Sequence, residues 1–361
     1  MRELLDKLME MFPQINKQNI DANLLSIGLD SFDLLLLKNT LEAQLNRPFE
    51  DREWLQAKSI KDLISIIPRT KTEKNNARLK NEKEIHLGMP QMAIGGLNEH
   101  WLLKELGDFH WSLISQGLST ISSKITDSSG NRLYATFVRV KYTSNTNFKK
   151  YEENEKLKLS GELSRFGESI IHSKPKLENG KNIIKSELLT AFVTRGKTNS
   201  DLTKGKAKSS DMDRIPKTNS MPNFLIDYRS MRNEEHNVHK LENTAFTICE
   251  EIIDAQIYNL NPYQDINGVE LLYFAAYPMI NDICERNFFN GKFFKKDWAL
   301  ATSTTSRDIF YFSNCNISDQ IVFRIHSYEA EKGIFSIHSS MCRQSDGKLM
   351  SRIFTIKEIL K

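Results

Sequence analysis

Gly28-Leu29-Asp30-Ser31-Phe32, running into Leu34-Leu35-Leu36-Leu37, is the stretch on which the reading of this chain turns. Gly28 supplies a free turn, and Asp30 supplies a side-chain acceptor for the first amides of a helix that runs to about Asn46. Ser31 then stands at the helix mouth, a poor place for packing and a good one for a group carried on a long arm. The positive end of the helix suits a phosphodiester on its hydroxyl. Upstream, Leu4, Leu5, Leu8, Met11 and Phe12 fall at helical spacing before Pro13; downstream, Ser59 is placed to cap another helix that ends at Pro68. Three or four short helices around one leucine-rich core make a small bundle.

The rest of the chain sets bounds on that reading. At 361 residues it is expected to hold two or three domains, and 39% apolar with 27% charged residues describes an ordinary globular composition. A net charge of +4 is too small to argue for nucleic acid, and the basic residues gather in polar stretches rather than on one helix face. Cys249, Cys284, Cys315 and Cys342 show no metal-ligand spacing, so reduced thiols, no metal and a cytoplasmic location are expected. The longest apolar run near the N-terminus falls far short of the roughly 20 residues a membrane span needs, so no membrane partner is expected.

Ile27-Gly28-Leu29-Asp30-Ser31-Phe32, with Leu34–Leu37, Leu41-Glu42 and Pro48-Phe49-Glu50, resembles an acyl or peptidyl carrier protein over about the first seventy residues. The resemblance implies 4'-phosphopantetheine on Ser31, installed by a phosphopantetheinyl transferase. The carrier domain is placed at 1–68. Residues 69–86 are charged and amide-rich and read as a flexible linker, whose roughly 18 residues reach some ~20–25 Å.

From Gly88 the composition becomes globular again. Gly88-Met89-Pro90 and Gly95-Gly96 mark loops, Asn98 is placed to cap a helix carrying Trp101, Leu102, Leu106, Phe109, Leu113 and Ile114, and strand-like runs follow from Leu133 to Val193. A polar stretch at 198–220 reads as a linker or long loop. Then the pattern repeats: the loop Asn261–Gly268, an apolar helix over Val269–Cys284, and strands to Ile356, with Ser345-Asp346-Gly347 as a hairpin turn. The fold class expected is therefore an all-α carrier bundle followed by an α+β double hot-dog: two curled antiparallel sheets, each wrapping a long helix, at 87–197 and 221–361.

A sharper resemblance rests on Gly88-Met89-Pro90-Gln91 with Gly95-Gly96-Leu97, Leu106-Gly107-Asp108-Phe109-His110-Trp111, Arg132-Leu133-Tyr134-Ala135-Thr136-Phe137, and Asp265-Ile266-Asn267-Gly268 with Leu272-Tyr273-Phe274. Ser303–Tyr311 and Asn314-Cys315 add to it. From about Gly88 onward these segments resemble the leinamycin-type bifunctional acyltransferase/decarboxylase family. That family implies transfer of an acyl group from methylmalonyl-CoA to a tyrosine hydroxyl, decarboxylation, and delivery of propionyl to a carrier within polyketide or mixed synthase assembly lines. Tyr134 matches the tyrosine, with Tyr142 the alternative if the register slips.

The residues themselves state what such chemistry requires. A phenol is a weak nucleophile near neutrality without a base or a positive field, and on an alternating strand Arg132 shares the face of Tyr134. Decarboxylation of a malonyl thioester builds an enolate that needs donors; Asn267 and the Gly268 amide are candidates, and equally a simple turn. Thr304, Thr305 and Ser306 form a hydroxyl cluster for the substrate carboxylate, with Arg307 as countercharge to it or to the phosphates of malonyl-CoA or methylmalonyl-CoA. His110 reads as packed rather than catalytic, and Glu105 and Asp108 as helix-surface charges. Two further readings stay open: a hot-dog thioesterase or dehydratase acting on the carrier's chain, and a non-catalytic protein that binds it. The dehydratase histidine motif is not found.

Overall fold

Asp30 Oδ1 accepts hydrogen bonds from the amides of Phe32 and Asp33, both at 2.7 Å, and so starts helix α2 (Ser31–Leu45) in the computed structural model. The structure describes residues 2–45, 49, 51–67, 79–199, 202–208, 212 and 214–360. Around α2 stand α1 (Arg2–Met11), α3 (Asp51–Gln56) and α4 (Ile60–Ser65), the last closed by a capping box between Ser59 and Asp62. Leu8, Phe12, Leu36, Leu37, Leu41, Ile60 and Leu63 bury fully between them.

The body is built on one antiparallel sheet. Its strands are β1 (Leu79–His86), β4 (Tyr134–Ser144), β5 (Lys156–Phe166), β6 (Ile170–Ser173), β7 (Lys176–Glu178), β8 (Ile183–Arg195), β9 (Leu202–Lys204), β12 (Asp254–Asn259), β13 (Thr302–Tyr311), β14 (Gln320–Glu331), β15 (Ile334–Arg343) and β16 (Leu349–Ile359). Two short hairpins stand apart from it: β2 (Met92–Ala93) with β3 (Gly96–Leu97), and β10 (Val238–Leu241) with β11 (Thr244–Thr247). From one edge the order is β1-β5-β6-β8-β4; from the other it is β12-β14-β15-β16-β13. The short β6 and β7 both sit between β5 and β8, the place β15 fills in the second half. The halves are thus related as two copies, and β4 pairs with β13 to fuse them. The expectation of two separate sheets is corrected: twelve strands form a single merged sheet among the described residues.

One face of the sheet wraps the two long helices. Helix α5 (Glu99–Leu118) starts where Asn98 Oδ1 accepts from His100 and Trp101, and α7 (Ala276–Phe289) takes the corresponding place in the second half. Leu102, Leu106, Phe109, Leu113, Ile280 and Cys284 bury there against both halves. The other face carries helix α6 (Asn223–Arg232), the β10–β11 hairpin and the carrier, in one continuous apolar cluster. Arg139 pins α6 to the sheet: it makes two bonds to the buried Asp308, at 3.0 and 2.7 Å, and one to the Phe224 carbonyl at 2.9 Å. Helix α8 (Trp298–Ala301) leads into β13. No helix among the described residues is long and apolar enough to cross a membrane.

Three sequence expectations change. Residues 79–86 of the expected linker are strand β1, and its charges pair across to β5, as Lys158–Glu82 at 2.7 Å and Lys156–Glu84 at 3.3 Å. Alternating charge on an edge strand has the composition of a linker until its partner strand stands beside it. The remaining stretch, 69–78, lies outside the described residues. The 198–220 stretch contains a strand: β9 pairs with β8, and ahead of it Asn199 donates to the Cys315 carbonyl at 3.1 Å. The second long helix begins at Ala276 rather than Val269.

Carrier and body meet over most of α2. Of its residues Ser31 is exposed, whereas Asp33, Lys38, Asn39 and Glu42 are buried. Asp33 accepts from Arg229 Nε at 2.7 Å, with both side chains almost wholly buried. Arg229 also donates to the Met11 carbonyl at 2.8 Å and to Gln14 at 2.9 Å, so one body side chain holds two carrier segments. Gly167, at φ +68°, sits so close to Asn39 that an added Cβ would lie 2.1 Å from its side chain. Arg229→Met leaves Asp33 buried without its cation, a change that costs about 3–5 kcal/mol when the geometry cannot relax. The expected outcome is release of the carrier with the body still folded, seen as faster amide exchange in α2 and unchanged exchange in β13 and β16.

Candidate active site

Ser31, Tyr134, Asn267 and Gly268 line one cavity of about 1040 Å³. Its floor is set by β4 and α5 of the first half and its far wall by the loop before α7. Its mouth is closed on one side by the carrier, through Ser31, Leu34 and Leu35 of α2.

Tyr134 opens β4, half-buried, with the Arg132 guanidinium 4.9 Å and the Arg195 guanidinium 5.5 Å from its ring centre. The expectation that Arg132 shares its face is met; Arg195, some sixty residues on, has no sequence signal that pairs it with Tyr134. Arg195, at the end of β8, also donates to the Val269 carbonyl at 2.6 Å. It therefore ties β8, the strand paired with the tyrosine's, to the Asn267 loop. Tyr142, the alternative nucleophile, is fully buried outside this cavity, and burial beside Glu99 pushes its phenol well above the usual range.

The loop from Asp265 to Ala275 is held from inside. Asp265 accepts from Tyr258 at 3.1 Å and from the Asn261 amide at 2.6 Å, Asn314 bonds Leu272 through both its amide atoms, and Tyr311 donates to the Phe274 carbonyl at 3.0 Å. Asn267 is anchored by its oxygen alone: Oδ1 accepts from the Val269 and Leu271 amides, each at 3.0 Å. Its Nδ2 and the Gly268 amide find no acceptor among the described residues. Both residues line the cavity, and these two donors are uncommitted among the described residues. An enolate or tetrahedral oxyanion is the group such donors serve.

Thr304, Thr305, Ser306 and Arg307 are not brought to this cavity. Thr305 bonds the Ile356 carbonyl at 3.2 Å, and Ser306 is buried within β13. Arg307, wholly buried, pairs with Glu99 at 3.1 Å and Asp282 at 2.7 Å; Thr304 accepts from Lys357 at 3.2 Å. Of the four, only Thr304 lines a second, smaller cavity of about 300 Å³, with Glu99, Asp282 and Lys357. The expectation that they hold the substrate carboxylate beside Tyr134 is set aside on geometry. A bulge lies between Thr304 and Ser306. His110 is structural, as expected: it sits between Ser173 and Thr190 at 2.6 and 2.9 Å, and burial takes its imidazole down to about 3.

With this geometry in view, the comparisons with known proteins fall into place. Residues 2–84 match the family model described as the C-terminal ACP domain of the highly reducing polyketide synthase sdgA. The N-terminal bundle is an acyl carrier domain. The match runs on into β1, whose pairing with β5 places that strand in the body. No curated protein matches the chain. Among solved structures, an acyl-ACP thioesterase from Bacteroides thetaiotaomicron is 14% identical, covering 77% of this chain and 98% of its own, with a TM-score of 0.51. An oleoyl thioesterase (putative) from Lactobacillus plantarum is 9% identical, covering 78% and 97%, with a TM-score of 0.54. At these identities the likeness is one of fold: the body is a double hot-dog.

An acyl carrier domain implies phosphopantetheine on its serine, and the residues present fit it. Ser31 is exposed at the mouth of the cavity, and the Nζ of Lys204, which also lines it, is buried without a hydrogen-bond partner among the described residues.

Asn267→Asp separates the two jobs of this side chain, because the substituted residue keeps the oxygen that shapes the loop and loses the donor. Its thermal midpoint is expected to stay within a few degrees of the parent, while turnover of an acyl thioester falls about 10²–10³-fold, the usual effect of removing one oxyanion donor. Comparing melting curves with single-turnover rates checks both halves.

Proposed function

We propose that this protein belongs to polyketide-type biosynthesis and charges its own carrier. It would take a methylmalonyl or malonyl group from CoA onto Tyr134, decarboxylate it, and load propionyl or acetyl onto the carrier. The observation that supports this reading most is that Ser31, Tyr134 and Asn267 line one cavity. An acyl acceptor, a nucleophile and an oxyanion site are within a single enclosure, where tethering replaces affinity.

The roles follow from the chain's own residues. The Tyr134 oxygen attacks the thioester carbonyl; the C–S bond breaks, and CoA leaves as the thiol with the phenol's proton. Arg132 and Arg195 set positive charge beside the ring as that oxygen becomes anionic. Loss of carbon dioxide leaves its electron pair as an enolate, whose oxygen Asn267 Nδ2 and the Gly268 amide are placed to hold. Water supplies a proton to the α-carbon. Tyr134 then yields the acyl group to the carrier's thiol and regains its proton. Phe137 and Phe274, in contact at 4.0 Å between ring centres, make the adjoining wall apolar, which strengthens these charge interactions by excluding water.

The expected result with full-length carrier-modified protein and methylmalonyl-CoA is a mass gain of one propionyl group on the Ser31 arm. Tyr134→Phe is expected to abolish that gain while leaving arm attachment intact. Unchanged loading in the variant defeats the acyl-tyrosine route. Release of free acid without loading supports a thioesterase, and retention of the intact methylmalonyl group supports a binding protein.

A further inference from the structure

We propose that Lys204 and Arg232 form a phosphodiester-binding site at the cavity mouth, which grips the phosphate on Ser31 and fastens the modified carrier to the body. This rests on the reading of Ser31 as the attachment point and adds the residues that recognise the arm.

The helix mouth alone does not supply the site. The Phe32 and Asp33 amides, the donors a phosphate would use there, are already committed to Asp30 Oδ1, and the Leu34 amide bonds the Asp30 carbonyl at 2.9 Å. The donors must therefore come from elsewhere, and the body brings them. Lys204 Nζ lies 4.3 Å and the Arg232 guanidinium 5.3 Å from the ring centre of Phe32, the residue next to Ser31. Both line the same cavity as Ser31, with Lys206 and Lys38 nearby.

Among the described residues, one cation at this spot is left without a hydrogen-bonded anion. Asp33 is taken by Arg229, and Asp30 Oδ2 accepts from Arg232 at 3.2 Å. Lys38 has Glu42 at 3.6 Å. Lys204 is left with its nitrogen buried and no hydrogen-bond partner among the described residues. An aromatic face offsets only part of the desolvation of an ammonium. Burial, reinforced by Arg232, accordingly pushes Lys204 down to about 7. The unmodified serine hydroxyl brings no charge; a phosphodiester brings a full negative charge to the adjacent atom. Attachment of the arm thus satisfies the ammonium and binds carrier to body through one group. Because α2 is otherwise covered, the modifying transferase is expected to act on the released carrier, and the phosphate then favours redocking.

The test uses the full chain before and after treatment with a phosphopantetheinyl transferase and CoA, with modification verified by intact mass. Amide exchange in α2 is the readout. In the parent, modification is expected to slow α2 exchange about ten- to hundredfold, the range given by charge-assisted hydrogen bonds. Lys204→Met is expected to lose most of that slowing and to exchange no faster than the parent before modification, since it removes an unpartnered buried charge. Lys204→Arg is expected to keep the slowing, as is the exposed control Lys208→Met. Equal α2 exchange in modified and unmodified parent, or full slowing in Lys204→Met, overturns the proposal. Failure of Ser31 to accept the arm in both the parent and Arg229→Met, whose carrier is released, overturns the carrier reading itself, a different result visible in the mass before any exchange is measured.

Discussion

A buried guanidinium demands that all its donors be met, and Arg229 meets that demand with atoms from both parts of the chain. Asp33 and the Met11 carbonyl come from the carrier, and Glu235 comes from the turn after α6. Such a set adds little net stability, because removing both charges from water offsets their attraction. Its effect is on geometry: any other placement of the carrier strands a charge. The consequence is that α2 sits on the sheet in one register, with Ser31 at the cavity mouth and the rest of the helix covered. A helix buried on every side needs no single apolar stripe, and α2 shows none, since Asp33, Lys38, Asn39 and Glu42 interrupt its leucines.

The local rules of the sequence were the legible part. Asp30, Ser59 and Asn98 cap where their positions suggest, and the turn at Ser345-Asp346-Gly347 joins β15 to β16. The repeat of loop, helix and sheet was visible as architecture, and the structure shows it as matching strand orders. What the sequence hid were features defined by a partner. Strand β1 carries Lys80, Glu82, Lys83 and Glu84, a polar run until the lysines and glutamates of β5 stand opposite. Helix α6 does carry a signal, with Phe224, Leu225, Tyr228 and Met231 at helical spacing after Pro222, but its purpose lies in the carrier it receives. Lys204, too, reads as one more lysine in a polar loop until Phe32 and Ser31 are beside it.

Of the candidate site, Tyr134, Asn267, Gly268 and Ser31 converge, whereas Thr304 to Arg307 do not. The difference has a simple cause. Tyr134 begins its strand, so its face depends on no count along the chain, and Asn267 is held by its own loop. Arg307 is spent elsewhere: it is buried in β13 against Glu99 and Asp282 and does not line the Tyr134 cavity. A bulge between Phe137 and Arg139 interrupts β4, and Arg139 reaches Asp308 and α6.

The same asymmetry explains why a duplicated fold offers one chamber for chemistry. Related halves provide two equivalent ends, each made from the start of a central strand and the loop before a long helix. At one end these are Tyr134 with Asn267 and Gly268; at the other they are Thr302 to Thr304 with Asn98 and Glu99. The second end is filled by charge. Glu99, Asp282 and Glu285 face Arg307 and Lys357, three carboxyls against two cations. Burial raises Glu99 and Glu285, while Asp282, despite its burial, is held low by Arg307 and Lys357. That network joins α5, α7, β13 and β16, so opening this end for a ligand would expose a closed ionic core. Among the described residues the first end has no such plug, and it is the end to which Arg229 brings the carrier.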